Sequence, residues 1–421
     1  MPHLLKLLLA AASLAVFLGS CKAHRNPRRH VTFAQLKSAA QPAARTIRLY
    51  LDARGDLYPD EQLPTDAALR RNSSSFFLSD YYLQEANRPQ LLALCRRYGV
   101  PTPAAPSDDD SAWQQVQTRL VEQHTQALNT LLASSAGRPL VILIHGFNVR
   151  ATSHTAQGTT PGLYDAVRGA MTAAAPAAFA NAVFLEVFWD GLQKDLPVGI
   201  WAAAQLNARY AGVRLRQVVA GTAPTTPIRV FTHSSGAIVA THTFWNVTSP
   251  YTGSGVASIA EFQRLYRAHP TPTHPDVRLG LLVPATTGNA FFGTNPEIID
   301  YLERTPPTAA PPTRHVTIGM NERDYALNKA GLSPPSKFGT TTLGCRPWDY
   351  KRVEDAIGSA NLDSVHFWYP KNGKPLQRES SGFRSARYEA HGWETYLSPQ
   401  RRHNFTRFVR RIMQQSRAGG Q

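Results

Sequence analysis

From Pro139 onward the chain alternates short, densely apolar segments with longer stretches of helical periodicity. Leu140–Ile144, Ala182–Phe188, Ile228–Phe231, Val277–Val283, His315–Ile318 and Val365–Tyr369 read as strands. They are apolar without polar alternation, the pattern of strands buried on both faces. Leu163–Ala175, Ile200–Ala220, Ala237–Asn246, Ile259–Ala268 and Asn404–Gln415 read as helices. Strands separated by helices in this way predict an α/β fold, a mostly parallel sheet with helices on both faces.

The region 45–138 differs. Thr46–Leu51 alternates apolar and polar residues and predicts a strand. Asp52–Asp56 is a turn signal and Leu57-Tyr58 begins a return strand, which makes an N-terminal hairpin. Phe76–Tyr98 reads as helix broken by Pro89, Val100–Asp110 as loop, and Trp113–Leu132 as an amphipathic helix.

Two segments carry chemistry. Phe231-Thr232-His233-Ser234-Ser235-Gly236-Ala237 follows an apolar strand and precedes a helix. A serine at such a turn is held in a strained backbone with its hydroxyl projecting from the sheet edge. Strand and helix pack closely there, so small residues belong two before and two after it; Gly236 fits, and Thr232 stands where glycine or alanine is usual. Ser234 is the candidate nucleophile. Ser235 is the rival, but that register puts bulky His233 at a small position. The second segment, Leu140–Asn148, is a strand ending in His145-Gly146. A loop there can aim a backbone N–H at the anion that forms when a carbonyl is attacked, with Phe147 and Ser235 as the two donors.

Together H-G-F-N-V at 145–149, V-F-L-E-V-F-W-D at 183–190 and T-H-S-S-G at 232–236 resemble the α/β-hydrolase superfamily. The nearest likeness is a branch with an H-G-[FY]-N strand end, an F-x-W motif and an A-H-S-x-G-like elbow; here Phe188 and Trp189 are adjacent. The resemblance spans roughly residues 139–400. It implies a mostly eight-stranded sheet, to which the N-terminal hairpin would add antiparallel edge strands, and a triad in chain order Ser, acid, His. The acid then follows His315–Ile318: Asp324 is the choice and Glu322 the runner-up. The histidine is His391, in a loop where Gly392 permits a tight turn; His366 reads as core and His403 as solvated. Trp189 either walls the substrate pocket or packs in the core.

These residues imply a serine hydrolase acting on a small ester or acyl substrate. Lipase, acyltransferase and peptidase use the same triad, and a catalytically silent envelope binding or scaffold protein is the alternative from another class. No His-x-Glu or Cys-x-x-Cys spacing, G-x-G-x-x-G or phosphate loop occurs, so neither metal nor cofactor is expected.

The first 20 residues read as a signal peptide: Lys6, an apolar run from Leu7 to Leu18, then Gly19-Ser20-Cys21. Cys21 after Leu-Gly-Ser resembles the bacterial lipobox, whose cysteine is lipidated; residues 21–44 would then be a basic tether from membrane to a folded part at 45–421. The expected location is the cell envelope, anchored to a membrane, the outer one by the residue after Cys21. Net charge is +16, which favours anionic surfaces. No arginine-aromatic interleaving, zinc-finger spacing or RNA-binding signature accompanies it, so no specific nucleic-acid partner is expected. Cys95 and Cys345 are equally compatible with a disulfide and with two buried thiols.

Overall fold

The computed structural model describes residues 44–59, 77–135, 137–147, 154–155, 158–191, 201–247, 256–291, 314–328, 341–367 and 391–414. Within them a single seven-stranded sheet runs β1 (Thr46–Tyr50), β2 (Leu140–Ile144), β3 (Val183–Phe188), β4 (Ile228–His233), β5 (Val277–Leu282), β6 (Arg314–Met320) and β7 (Leu362–His366). Its spatial order is β1-β3-β2-β4-β5-β6-β7, and every neighbouring pair is parallel. Every residue of β2, β3 and β4 is buried. Successive side chains point to opposite faces, so both faces of the sheet centre are covered. That is the physical content of the unbroken apolar runs.

The helices are α1 (Arg88–Arg97), α2 (Asp109–Ala133), α3 (Thr160–Ala174), α4 (Trp201–Ala220), α5 (Gly236–Phe244), α6 (Val256–Ala268), α7 (Pro347–Ile357), α8 (Trp393–Leu397) and α9 (Arg402–Met413). Helix α9 lies across β4–β7 and against α3, and its Phe405, Phe408, Val409 and Ile412 are buried. Helix α2 packs against β1, β3 and α4, and α4 packs along α5. Buried Arg216 of α4 donates to the carbonyls of His242, Trp245 and His269. A guanidinium thus meets the negative carbonyl ends of α5 and α6 and holds α5 in place.

Three expectations need correction. The sheet has seven strands among the described residues, not eight. The N-terminal hairpin does not add antiparallel edge strands: β1 joins the sheet parallel to β3. The return strand stops at a single Leu51–Leu57 antiparallel bridge. Gln117 of α2 covers the outer edge of this bridge: its side chain accepts from the Leu57 N–H at 2.7 Å and donates to the Leu57 carbonyl at 3.0 Å. Those are the groups a partner strand would need. The helix read over 76–98 is broken just before Pro89, as expected, into a short helix Leu78–Tyr82 and α1, which Pro89 opens as its missing N–H allows. The last strand begins at Leu362, ahead of the expected Val365, and helix α7 had no sequence-level expectation.

The chain reverses its direction of travel across the sheet at β2: it moves from β2 to β3 on one side, then to β4 on the other. A crevice forms beyond the carboxyl ends of strands at such a switch point. The ends of β2 and β4 are His145-Gly146 and His233-Ser234.

Candidate active site

Ser234 follows β4 with φ at +55°, whereas Ser235 has an ordinary helical φ of −71°. A left-handed backbone is unfavourable for a residue with a Cβ and persists only where its surroundings hold it. They do so here. The Ser234 N–H donates to the Leu282 carbonyl at 3.0 Å, and its carbonyl accepts from Ala285 at 3.0 Å and Ala237 at 3.2 Å. The strain falls on Ser234, not on its rival. The last residue of β5 supplies one of these three bonds, and the loop after it, given no role by the sequence, supplies another.

Gly236 has no space for a side chain, because a Cβ would lie 2.6 Å from the His145 carbonyl oxygen and 2.8 Å from that of Ile144. The elbow therefore presses on the end of β2. At Gly146 a Cβ would meet the Ser234 Cβ at 2.9 Å. The two segments expected to supply nucleophile and oxyanion donors are in contact.

His145 fixes the β2 end. Its ring stacks on Trp189 with centroids 5.5 Å apart, its Nε2 accepts from the Trp189 N–H at 3.2 Å, and the Trp189 indole donates to the His145 carbonyl at 2.9 Å. Nε2 is an acceptor, so Nδ1 carries the hydrogen and donates to the Gly146 carbonyl at 2.8 Å. Burial pushes its pKa down to about 4, which keeps the ring neutral. Trp189 is fully buried in this contact, so it packs in the core and does not wall a pocket. Phe147 is half-buried against Ala203 and Ala204 of α4. Ser235 is the N-cap of α5, where backbone N–H groups have no partner within the helix and the helix dipole is positive.

Asp324 lies in the loop after β6 and is fully buried. Its Oδ1 accepts from the backbone of Ala326 at 3.0 Å and Leu327 at 3.1 Å. Its Oδ2 accepts from His391 Nδ1 at 2.6 Å and from the Tyr396 hydroxyl at 2.7 Å. Burial alone would raise this carboxyl; the His391 charge and hydrogen bond, the Tyr396 hydroxyl and the Leu327 N–H outweigh it and hold the pKa below the usual carboxylate range. Burial and the neighbouring Asp324 charge raise the Tyr396 phenol, which therefore stays a donor. Asn321 in turn donates to the Tyr396 oxygen at 3.1 Å.

With Nδ1 as donor, His391 Nε2 presents a lone pair. That nitrogen is buried and has no hydrogen-bond partner, so the Ser234 hydroxyl does not bond to it in this structure. His391 is nonetheless beside the elbow, since its carbonyl oxygen is 2.7 Å from Nε2 of His233. Glu322, the alternative acid, is half-buried, and the His391 ring nitrogen is taken by Asp324. Gly392 has φ at −67°, open to any residue, so the turn before α8 does not depend on glycine's freedom.

Sequence reasoning missed Tyr396, Ala285 and the environment of His233. Each acts through a tertiary contact, and of the three only His233 stands in a motif, which says nothing of what its ring meets. His366 is half-buried at the end of β7 and His403 is exposed on α9. Cys95 and Cys345 are buried free thiols, which decides between the two expectations for them. Cys21, the signal segment and all but the last residue of the tether lie outside the described residues. Among the described residues no group of three or more His, Cys, Asp or Glu could hold a metal ion, and no helix is long and apolar enough to cross a membrane. No protein-family model, curated protein or solved structure matches the chain.

Proposed function

We propose that this chain is a serine hydrolase of the α/β-hydrolase type that cleaves carboxylic esters through an acyl-enzyme on Ser234. One observation carries the reading: a serine with φ at +55° at a strand-to-helix turn directly follows His233, whose ring lies 4.8 Å from that of a histidine held 2.6 Å from a buried carboxylate. His391 Nε2 takes the Ser234 proton as Oγ attacks the ester carbonyl. Asp324 holds the Nδ1–H tautomer and offsets the imidazolium charge. The N–H groups of Ser235 and Phe147 receive the oxyanion at the positive end of α5. Collapse expels the alcohol, which leaves with the proton from His391. Water activated by the same histidine then hydrolyses the acyl-enzyme and regenerates the serine.

The missing Ser234–His391 hydrogen bond favours a second reading, a silent scaffold that keeps the fold. Unliganded sites are often loose in this contact, so the catalytic reading is preferred. A fluorophosphonate probe separates the two, because it labels only a working nucleophile. Labelling and p-nitrophenyl ester hydrolysis are expected in the wild type and in Ser235→Ala, and lost in Ser234→Ala. No labelling of a folded wild type sinks the enzyme reading. Lipase, acyltransferase and peptidase use the same triad, and a panel of acyl donors ranks them.

The proposed location is the cell envelope, with a lipid on Cys21. Cys21→Ser should then move the protein to the soluble fraction, assayed in high salt because a net charge of +16 also adheres electrostatically.

A further inference from the structure

The triad leaves the residue before the nucleophile without a role. His233 is the last residue of β4 and is buried. Its ring is flanked by two rings of one distant segment: His391, with centroids 4.8 Å apart, and Trp393, at 4.9 Å. Its Nε2 is 2.7 Å from the His391 carbonyl oxygen. A carbonyl only accepts, so Nε2 carries the hydrogen and donates. Burial first, and the neighbouring His391 next, push the His233 pKa down to about 3, so this donor persists at ordinary pH. Its Nδ1 faces the other way, 3.1 Å from where a Cβ of Gly146 would stand.

We infer that His233 is a positioning residue: through one hydrogen bond and two ring contacts it holds the backbone of His391 at the height of the elbow. The inference rests on the hydrolase reading of Ser234, Asp324 and His391. Asp324 fixes the ring of His391 through Nδ1, but a ring held at one nitrogen can still move with its backbone. The carbonyl of residue 391 is the point at which β4, which carries the nucleophile, grips the segment that carries the base. The elbow thereby sets the distance between its own serine and the proton acceptor. A side chain with a donor at the end of a planar group is needed there, and a histidine supplies both.

The test uses two variants of the full chain. His233→Phe keeps a flat ring in the stack and removes the donor; His233→Gln keeps a terminal N–H donor and removes the ring. His233→Phe should lower kcat and the rate of fluorophosphonate labelling by roughly 10- to 100-fold, the scale of a misplaced reacting group, with KM little changed. His233→Gln should restore most of that rate even if its Tm is lower. Amide hydrogen exchange over 391–397, measured in parallel, should quicken in His233→Phe relative to both wild type and His233→Gln. Wild-type kcat in His233→Phe overturns the inference, and so does an equal loss in both variants that tracks Tm. If the folded wild type is not labelled at all, the hydrolase reading fails instead, and the exchange measurement still decides whether His233 holds the segment.

Discussion

Asp324 has both carboxylate oxygens filled before any substrate arrives: two backbone N–H groups on one, His391 and Tyr396 on the other. An amide in its place has only one acceptor oxygen and would present a donor to part of this set. Asp324→Asn should therefore fold but hold His391 in the wrong tautomer, with kcat reduced by roughly 10⁴. Glu322→Gln should leave kcat near wild type, because that side chain does not hold the ring. Steady-state kinetics of the two variants, with circular dichroism for the fold, check this; comparable losses in both would reverse the assignment of the acid. The Asp324–His391 pair and the turn at Ser234 were legible because chain order and strand–turn–helix context are properties of sequence. Tyr396 was not, since nothing in W-E-T-Y-L shows that this hydroxyl rather than a neighbouring side chain reaches back to a loop after β6.

The junction of β2, β4 and α5 leaves no room for a side chain at Gly236. Gly236→Ala would drive a methyl into two backbone oxygens of β2 that have no freedom to move, at 2.6 and 2.8 Å. It should cost about 1–3 kcal/mol of stability and displace the elbow, so ester hydrolysis falls with it. Gly392→Ala is the control: its φ is ordinary, and the nearest atoms are those of the Glu394 carboxylate, which can swing away. Urea unfolding of both variants reads the difference, and similar stabilities would contradict it. Strand legibility follows the same division between interior and edge. β2, β3 and β4 stood out in sequence because both faces are buried. β7 began earlier than expected because Asp363, polar in sequence, is held by His315 and Arg411 at the edge of the sheet. The expectation of antiparallel edge strands at 46–58 failed because β1 pairs parallel to β3, a partner far along the chain that no local pattern reveals.

At the scale of the whole molecule, buried neutral histidines make the fold sensitive to acid. His145 and His233 have folded pKa values pushed down to about 4 and about 3 from 6.5, and His242 is also lowered well below that value, all chiefly by burial. As pH falls through 6.5 the unfolded chain takes up these protons first, so stability declines with each step downward. Each unit of separation is worth about 1.4 kcal/mol per group. Asp324, lowered from 3.8, adds its own loss only below that pH. Tm should thus drop steeply between pH 6.5 and pH 4.5, and His233→Gln should flatten part of that slope. A Tm that is level across this window would mean these rings are not neutral in the folded state.

The groups of the proposed site come from four stretches of chain, 145–147, 234–235, 324 and 391, and the seven-stranded sheet that gathers them contains only parallel pairs. Parallel pairing joins residues far apart along the chain, which makes for slow assembly. The elbow, its glycine contact and the Ala285 clasp can form once β5 is in place, but the base and its grip on His233 wait for the segment beyond residue 390. On the hydrolase reading, a nascent chain could shape the elbow before the residue proposed to activate it has joined the sheet, and hydrolytic competence would wait for the segment that ends in α9.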